Sequence, residues 1–155
     1  MEKELTFLVV LDDSKEIFNA LRYAARRTAR TNGRVALLYT FETLEFSHWK
    51  AVEDIAEIEF RDEAEAKIKE YENYILSFSP HKPKKFIMKG DRIECIVEFL
   101  NANKFISNFI LASSPNKSGA DPLINAFAIK QSSKIRVPIT IIPSTLTEEE
   151  IDKLS

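Results

Sequence analysis

Cysteine and histidine are scarce in this chain of 155 residues. The single cysteine, Cys95, excludes an internal disulfide and a zinc site built from cysteines, and only two histidines remain as nitrogen ligands. Long apolar runs are missing too, since Phe7–Leu11 is far shorter than the ~20 residues of a membrane-spanning helix. The first residues also lack the charged and then apolar layout of a signal peptide. The sequence therefore predicts a soluble, cytoplasmic protein with no membrane partner.

The chain also lacks an excess of positive charge. Its formal net charge is −2, which gives no long-range attraction to nucleic acid, so no nucleic-acid partner is expected. With 45% hydrophobic and 30% charged residues, the length suits one domain around one sizeable core. We expect this domain to span residues 1–143, and residues 144–155 to form a C-terminal tail with a short helix.

Several apolar runs do not alternate with polar residues, which is typical of strands buried on both faces of a parallel sheet. The predicted strands are 5–11, 35–41, 84–89, 105–112 and 136–143.

Helical spacing of apolar residues separates these runs. The first helix is predicted to start with a capping box of Asp13 and Glu16 and to end at Gly33, which can take a left-handed conformation. Further helices are expected over about 47–78, from Asp91 to about 101, over about 121–133, and from Thr147 to about 154.

Two strands are predicted to lie at the edges of the sheet. Strand 84–89 has charged ends, and Pro138 cannot donate a hydrogen bond within a central strand. Because an exposed apolar edge promotes aggregation, the last strand is expected to be covered by homodimerisation. The residues assigned to that interface are Val137, Ile139, Ile141 and Ile142.

The stretch from Phe109 to Ile124 changes from an apolar run to a small polar loop and then to a helix start. Open α/β sheets place ligand sites in this geometry. Asp12 and Asp13, after the first strand, are open to two interpretations: a metal or general-base site, or a helix cap at Asp13 with Asp12 serving a ligand or nearby backbone.

Three further groups have more than one interpretation. The arginines at 22, 26, 27 and 30 form a basic stripe that could meet an acidic partner, meet the acidic second helix, or be a solvated face. Phe46, His48 and Trp49 could form an aromatic lid, or serve core packing or a dimer contact. Cys95 is either a small packing residue or a half-exposed thiol.

The segments Val9–Ser14, Leu37–Thr40, Ile110–Ser114 with Ser118–Gly119, and Val137–Ile142 resemble the universal stress protein family. The tail after residue 136 is similar to the alphaproteobacterial branch of that family. The resemblance implies a three-layer α/β/α fold of the adenine nucleotide alpha-hydrolase-like, Rossmann-like class. Its five-stranded parallel sheet would have the order 3-2-1-4-5, with a dimer paired through the fifth strand.

The resemblance also implies a site for an adenine nucleotide, either AMP or ATP, with Mg²⁺ if the ligand is ATP. Adenine and ribose would lie on residues at the ends of the first two strands, and phosphates on a glycine-rich loop after the fourth. The nucleotide-binding residues assigned in this way are Asp12, Asp13, Thr40, Ala112, Ser113, Ser118, Gly119 and Asn125.

The phosphate loop departs from the family pattern. Ala112, Pro115 and Asn125 stand where the family has glycines, and Pro115 removes an N–H donor and fixes φ near −65°. Hydroxyl, amide and ammonium donors remain in residues 113–118. The loop is therefore expected to bind a nucleotide or another anion only weakly.

Three classes of function follow. The first is a non-catalytic, universal-stress-type regulator that dimerises and binds a nucleotide or anion. The second is a protein-interaction module with an empty cleft. The third is a slow ATP hydrolase, which the sequence disfavours because it has no Walker lysine motif, no second carboxylate cluster and no positioned base.

Overall fold

In the computed structural model, residues 4–42, 50–115 and 122–155 are described. The elements are β1 (Thr6–Val10), α1 (Ile17–Ala29), β2 (Arg34–Phe41), α2 (Lys50–Leu76), β3 (Lys84–Lys89), α3 (Arg92–Ala102), β4 (Ile106–Ala112), α4 (Pro122–Asn125), a π-helical segment (Ala126–Lys130), β5 (Ile139–Ile142) and α5 (Glu148–Leu154).

The five strands form one parallel sheet in the order β3-β2-β1-β4-β5, as predicted. Helices α1, α2 and α5 cover one face, and α3, α4 and the π-helical segment cover the other. The protein therefore has the three-layer α/β/α fold of the Rossmann-like class.

Strand β1 lies at the centre, and all five of its residues are buried. Because side chains alternate along a strand, Phe7 and Val9 enter one core while Leu8 and Val10 enter the other. Pairing with β4 shifts register after Thr6, and the Ser107 hydroxyl bridges this irregularity by donating to Thr6 O at 3.0 Å.

Helix α2 is buried along only part of its length. Its buried residues are Ala64, Ile68, Tyr71 and Ile75, which recur at helical spacing, whereas Val52, Ile55 and Ile58 are each more than half exposed. Ala66 is exposed, and Ala64 takes the buried position on this part of the helix.

The two edges of the sheet differ in chemistry, and both edge assignments are confirmed. On β3, Lys85 pairs with Glu72, and Lys89 Nζ lies 3.3 Å from Glu57 Oε2 on the overlying α2. On β5, pairing starts at Ile139, directly after Pro138, and Ile141 is 38% exposed. The strand is shorter than predicted because Val137 packs in the core before the ladder begins.

The predicted capping box at Asp13 and Glu16 was wrong. Glu16 is the N-cap of α1, and its side chain makes no capping hydrogen bond. Asp13 instead pairs with Lys67 of α2, and Asp12 makes the local turn, so competing partners take both carboxylates away from the helix start. The predicted helix starts at Thr147 and Asp91 are confirmed: Thr147 and Glu150 form a capping box on α5, and the Asp91 side chain accepts a hydrogen bond from Glu94 N on α3.

The single helix predicted over 121–133 is also corrected. Helix α4 ends at Asn125, and a π-helical segment follows, closed by a hydrogen bond from Gln131 N to Ala126 O at 2.6 Å. Wide turns of this kind place side chains out of the 3.6-residue period, which is why periodicity did not detect the change.

Gly33 is required for close approach and not for a left-handed backbone. Among the described residues, Gly90 is the only one with positive φ, at 141°. A Cβ on Gly33 would lie 2.1 Å from Leu5 O, because the chain entering β2 passes directly against the start of β1.

The basic stripe of α1 meets α5. Arg22 binds Asp152 with two hydrogen bonds, Nε to Oδ1 at 2.7 Å and Nη2 to Oδ2 at 2.8 Å, and its Nη1 lies 3.1 Å from Glu148 Oε2. Arg26 Nε adds an ion-pair contact to Asp152 at 3.1 Å, and Ile151 of α5 is fully buried beneath these charges. Arg22 and Arg26 therefore form an intramolecular clasp for the C-terminal helix, a partner that none of the three interpretations of the stripe named.

Replacing Asp152 with Asn is expected to lower the free energy of unfolding by about 1–3 kcal/mol at pH 7, since a bidentate, charge-assisted contact is lost. Hydrogen bonding from Arg22 lowers the pKa of Asp152. The contact of Asp152 with Arg22 therefore stabilises the fold fully above the pKa of Asp152 in the unfolded chain, ~3.9. This stabilisation is lost as pH falls through the lower pKa of Asp152 in the folded protein. Urea unfolding at pH 7 and below pH 4 measures both effects.

Glu149→Gln is the matched control, because it neutralises another carboxylate of α5 whose partner, Lys153, is 73% exposed. Its unfolding free energy should stay close to that of the wild type. Equal losses in the two variants would contradict the clasp.

Candidate functional site

The carboxyl ends of the parallel strands lie along one border of the sheet. After β3 the chain crosses to the other side of β1, so the strand order changes direction between β1 and β4. Strands β2 and β3 lie on one side of β1, and β4 and β5 lie on the other. Open α/β sheets bind ligands at such a switch point. Asp12 follows β1 there, and Ala112 ends β4.

Asp12 is held by its own turn. Its Oδ1 accepts hydrogen bonds from Ser14 N at 2.9 Å and from Ser14 Oγ at 2.6 Å. Among the residues that the structure describes, no donor bonds to Oδ2. One carboxylate oxygen therefore remains for a ligand.

Helix α2 fixes the turn from the side. The Tyr71 hydroxyl donates to the backbone oxygen of Asp12 at 3.1 Å, and burial raises the pKa of this phenol, so it stays a donor. Lys67 forms its ion pair with Asp13, which raises the pKa of the lysine. Asp13 is thus neutralised by α2 and is not a free base.

An open depression of about 360 Å³ lies above this turn. Its lining consists of Asp12, Asp13, Ser14, Glu16, Arg92, Ser114, Pro122 and Leu123. Below it, the space between β1 and β4 narrows to a cavity of about 20 Å³, which has room for one water molecule. A ligand can therefore lie on the strand ends but cannot enter between them.

The two serines after β4 have different roles. Ser113 N donates to Ile142 O at 3.0 Å, and the Ser113 hydroxyl accepts from Ser144 N at 2.9 Å. These bonds join the end of β4 to the end of β5. Ser114, in contrast, lines the depression.

The other predicted site residues are spread around this border. Thr40 is buried within β2, Ala112 lines the small cavity and Asn125 ends α4. Ser118 and Gly119 fall outside the described residues, as do Phe46, His48 and Trp49. The structure thus brings Asp12 and Asp13 to the depression but not Thr40 or Asn125, and the role of all these residues in nucleotide binding stays a prediction.

Arg92 was missed by sequence reasoning. It is the first residue of α3, is exposed and lines the depression. Within 4–42, 50–115 and 122–155, no carboxylate forms an ion pair with it. The helix start at Asp91 was predicted. The proximity of Arg92 to Asp12 was not, because it depends on how the fold places the start of α3 near the carboxyl end of β1.

A larger recess of about 620 Å³ lies between α2 and β3, far from the switch point. The ion pair of Lys85 and Glu72 lies on its wall. We assign the site to the depression at Asp12, because it lies at the switch point of the sheet and polar groups from three parts of the chain converge there.

Two other kinds of site were sought in the described part of the chain. No group of three or more histidine, cysteine, aspartate or glutamate residues there could hold a metal ion. No helix there has the length and apolar character to cross a membrane. Cys95 is buried, as expected of a packing residue.

Comparisons with known proteins agree on one family. The sequence matches the universal stress protein family over residues 5–105. No protein of curated function matches the chain.

Solved structures with the same fold include three examples. The universal stress protein UspA from Lactobacillus plantarum has a TM-score of 0.68 and 17% identity, covering 90% of this chain and 98% of that one. The hypothetical protein MJ0577 has a TM-score of 0.72 and 18% identity, covering 94% and 99%. A universal stress protein in complex with cAMP has a TM-score of 0.63 and 12% identity, covering 89% and 95%.

Replacing Ser113 with Ala should lower the free energy of unfolding by about 1 kcal/mol, because Ser144 N loses its acceptor. Ser114→Ala is the matched control at the adjacent position and should leave stability unchanged, since its hydroxyl bonds to no described residue. Urea unfolding curves measure both. A destabilised Ser114→Ala beside an unaffected Ser113→Ala would reverse the assigned roles.

Proposed function

Because the chain belongs to the universal stress protein family, we propose that it is a non-catalytic stress-response regulator that works as a homodimer and binds an adenine nucleotide weakly. The observation that carries the proposal is the open depression at the switch point, which Asp12 lines with a carboxylate oxygen that no described residue bonds. From the tail sequence we also propose membership of the alphaproteobacterial branch.

Nucleotide binding is supported by the chemistry of the lining. A carboxylate at the end of β1 is suited to accept hydrogen bonds from ribose or adenine, and Ser114 and Arg92 supply donors for a phosphate. The structural neighbour in complex with cAMP supports the same proposal.

Weak affinity follows from the loss of backbone donors. Pro115 has no N–H, and the N–H of Ser113 is already bonded to Ile142 O. Two of the amides that could have approached a phosphate in this loop are therefore not offered.

The absence of turnover is part of the proposal. Asp13, the acidic residue nearest to Asp12 in sequence, is paired with Lys67, and the Asp12 carboxylate is bonded to Ser14. Asp13 is therefore not free to act as a general base, and we propose that the second oxygen of Asp12 binds the ligand instead of activating a water. If ATP is the ligand, Mg²⁺ would come bound to its phosphates.

Calorimetric titration of nucleotide-stripped protein with AMP and ATP tests the proposal. We expect binding in the micromolar range or weaker, with no release of phosphate from ATP over hours. Asp12→Asn should weaken both ligands about tenfold, because a charge-assisted hydrogen bond becomes a neutral one. Asp54→Asn, at an exposed position of α2, is the control. Absence of binding, or steady hydrolysis by the wild type, would contradict the proposal.

Dimerisation is proposed through the outer edge of β5. Among the described strands, β5 pairs only with β4, and Ile141 on it is 38% exposed. Ile139 is partly exposed, whereas Val137 and Ile142 are buried within the protomer and are not free for a partner. The accessible part of the predicted interface is thus Ile139 and Ile141.

Ile141→Lys is expected to convert the dimer to a monomer, since a charge would be placed in an apolar contact. Sedimentation velocity measures the change. Ile58→Lys is the matched control, because Ile58 is 60% exposed on α2 rather than on the strand. A dimer that persists in Ile141→Lys and dissociates in Ile58→Lys would place the interface on α2 instead.

A second candidate, a protein-interaction module, is favoured by one observation. Val52, Ile55 and Ile58 form an apolar stripe on the first half of α2, and each is at least 51% exposed. Stripes of this kind commonly bind another protein. This candidate gains support if the folded protein binds no nucleotide.

A further inference from the structure

We propose that Arg92 binds the phosphate of a nucleoside monophosphate in the depression beside Asp12, so that the site prefers ligands with one phosphate over ATP. The inference rests on the proposed function and specifies its ligand class. It concerns a residue outside the glycine-rich loop on which the family resemblance places the phosphates.

The position of Arg92 is the first argument. The residue opens α3, which follows the edge strand β3, whereas Asp12 follows the central strand β1. Both nevertheless line the same depression, together with Ser114 from the end of β4. A cation, a carboxylate and a hydroxyl from three separate elements therefore surround one space.

The unpaired charge of Arg92 is the second argument. Arg22, Arg26, Arg34 and Arg61 all have carboxylate partners. Arg92 has none in the described part of the chain, although Asp12 and Asp13 line the same depression. Those two carboxylates are held elsewhere, by Ser14 and by Lys67. The guanidinium, with its planar set of donors, is thus left for an anion from solution.

The charge balance argues for a single phosphate. Among the described residues, the lining contains three carboxylates, on Asp12, Asp13 and Glu16, and the guanidinium of Arg92. The ammonium of Lys67 neutralises Asp13 and is therefore not available to bind a phosphate. A second or third phosphate would meet these carboxylates without a further cation among the described lining residues. In the described part of the loop, Ser113 N is bonded to β5 and Pro115 has no N–H.

The size of the depression is also consistent with a ligand that has one phosphate. Its volume of about 360 Å³ is near the lower end of the ~300–1,000 Å³ usual for small-molecule sites. The floor is closed, because the cavity beneath holds only about 20 Å³. The ligand must therefore lie along the strand ends, with its phosphate toward the start of α3.

Calorimetric titration of wild type and Arg92→Gln with adenosine, AMP and ATP in EDTA tests the inference, because EDTA keeps Mg²⁺ from offsetting phosphate charge. Wild type should bind AMP more tightly than both adenosine and ATP. Arg92→Gln should lose about 10- to 100-fold in AMP affinity, as expected for a charge-assisted contact to phosphate, and should keep its adenosine affinity. Arg92→Lys should lie between them, since it keeps the charge but not the planar donors.

Arg30→Gln is the matched control, because it removes the same charge from an exposed position at the far end of α1. It should leave all three affinities unchanged, and equal unfolding midpoints for all variants exclude misfolding. Binding of AMP to wild type with no loss in Arg92→Gln overturns the role of Arg92 alone. Tighter binding of ATP than of AMP overturns the preference for one phosphate. Absence of binding by wild type overturns the proposed function, and this inference with it.

Discussion

The whole architecture depends on the burial of β1 on both faces. A strand whose five residues are all buried needs a layer of helices on each side, and its neighbours β2 and β4 must supply its backbone partners. The polar residues after Leu11 cannot follow the strand into this interior. They emerge at the border of the sheet, so the position of the candidate site is a direct result of core packing.

Within that border, most polar groups already serve the fold. Ser14 satisfies one oxygen of Asp12, Lys67 neutralises Asp13, and Ser113 joins β4 to β5. Among the described residues, the groups that remain for a ligand are the second oxygen of Asp12, the hydroxyl of Ser114 and the guanidinium of Arg92. The chemistry of the site is thus defined by the few groups that the turns and strand ends leave unused.

The strands could be predicted from the sequence because continuous apolar runs, charged ends and Pro138 each reflect local physics. The family resemblance supplied the strand order. The start of α1 could not be predicted, because Asp13 forms an ion pair with Lys67, which is distant in sequence, and does not cap the helix. The bond between Arg22 and Asp152 joins residues 130 positions apart, and the role of Gly33 depends on the backbone of Leu5. Arg92 joins the site only once α3 is placed beside β1.

The two edges of the sheet differ in charge and exposed apolar surface, and this difference limits the size of the assemblies that the protein can form. Lysines on β3 form ion pairs with glutamates of α2. An approaching strand would therefore meet charged side chains and a neighbouring helix at the β3 edge. The β5 edge carries exposed apolar surface instead. If two copies pair through β5 about a two-fold axis, as proposed, only the two charged β3 edges remain unpaired. An apolar β3 edge would instead permit head-to-tail association into fibres.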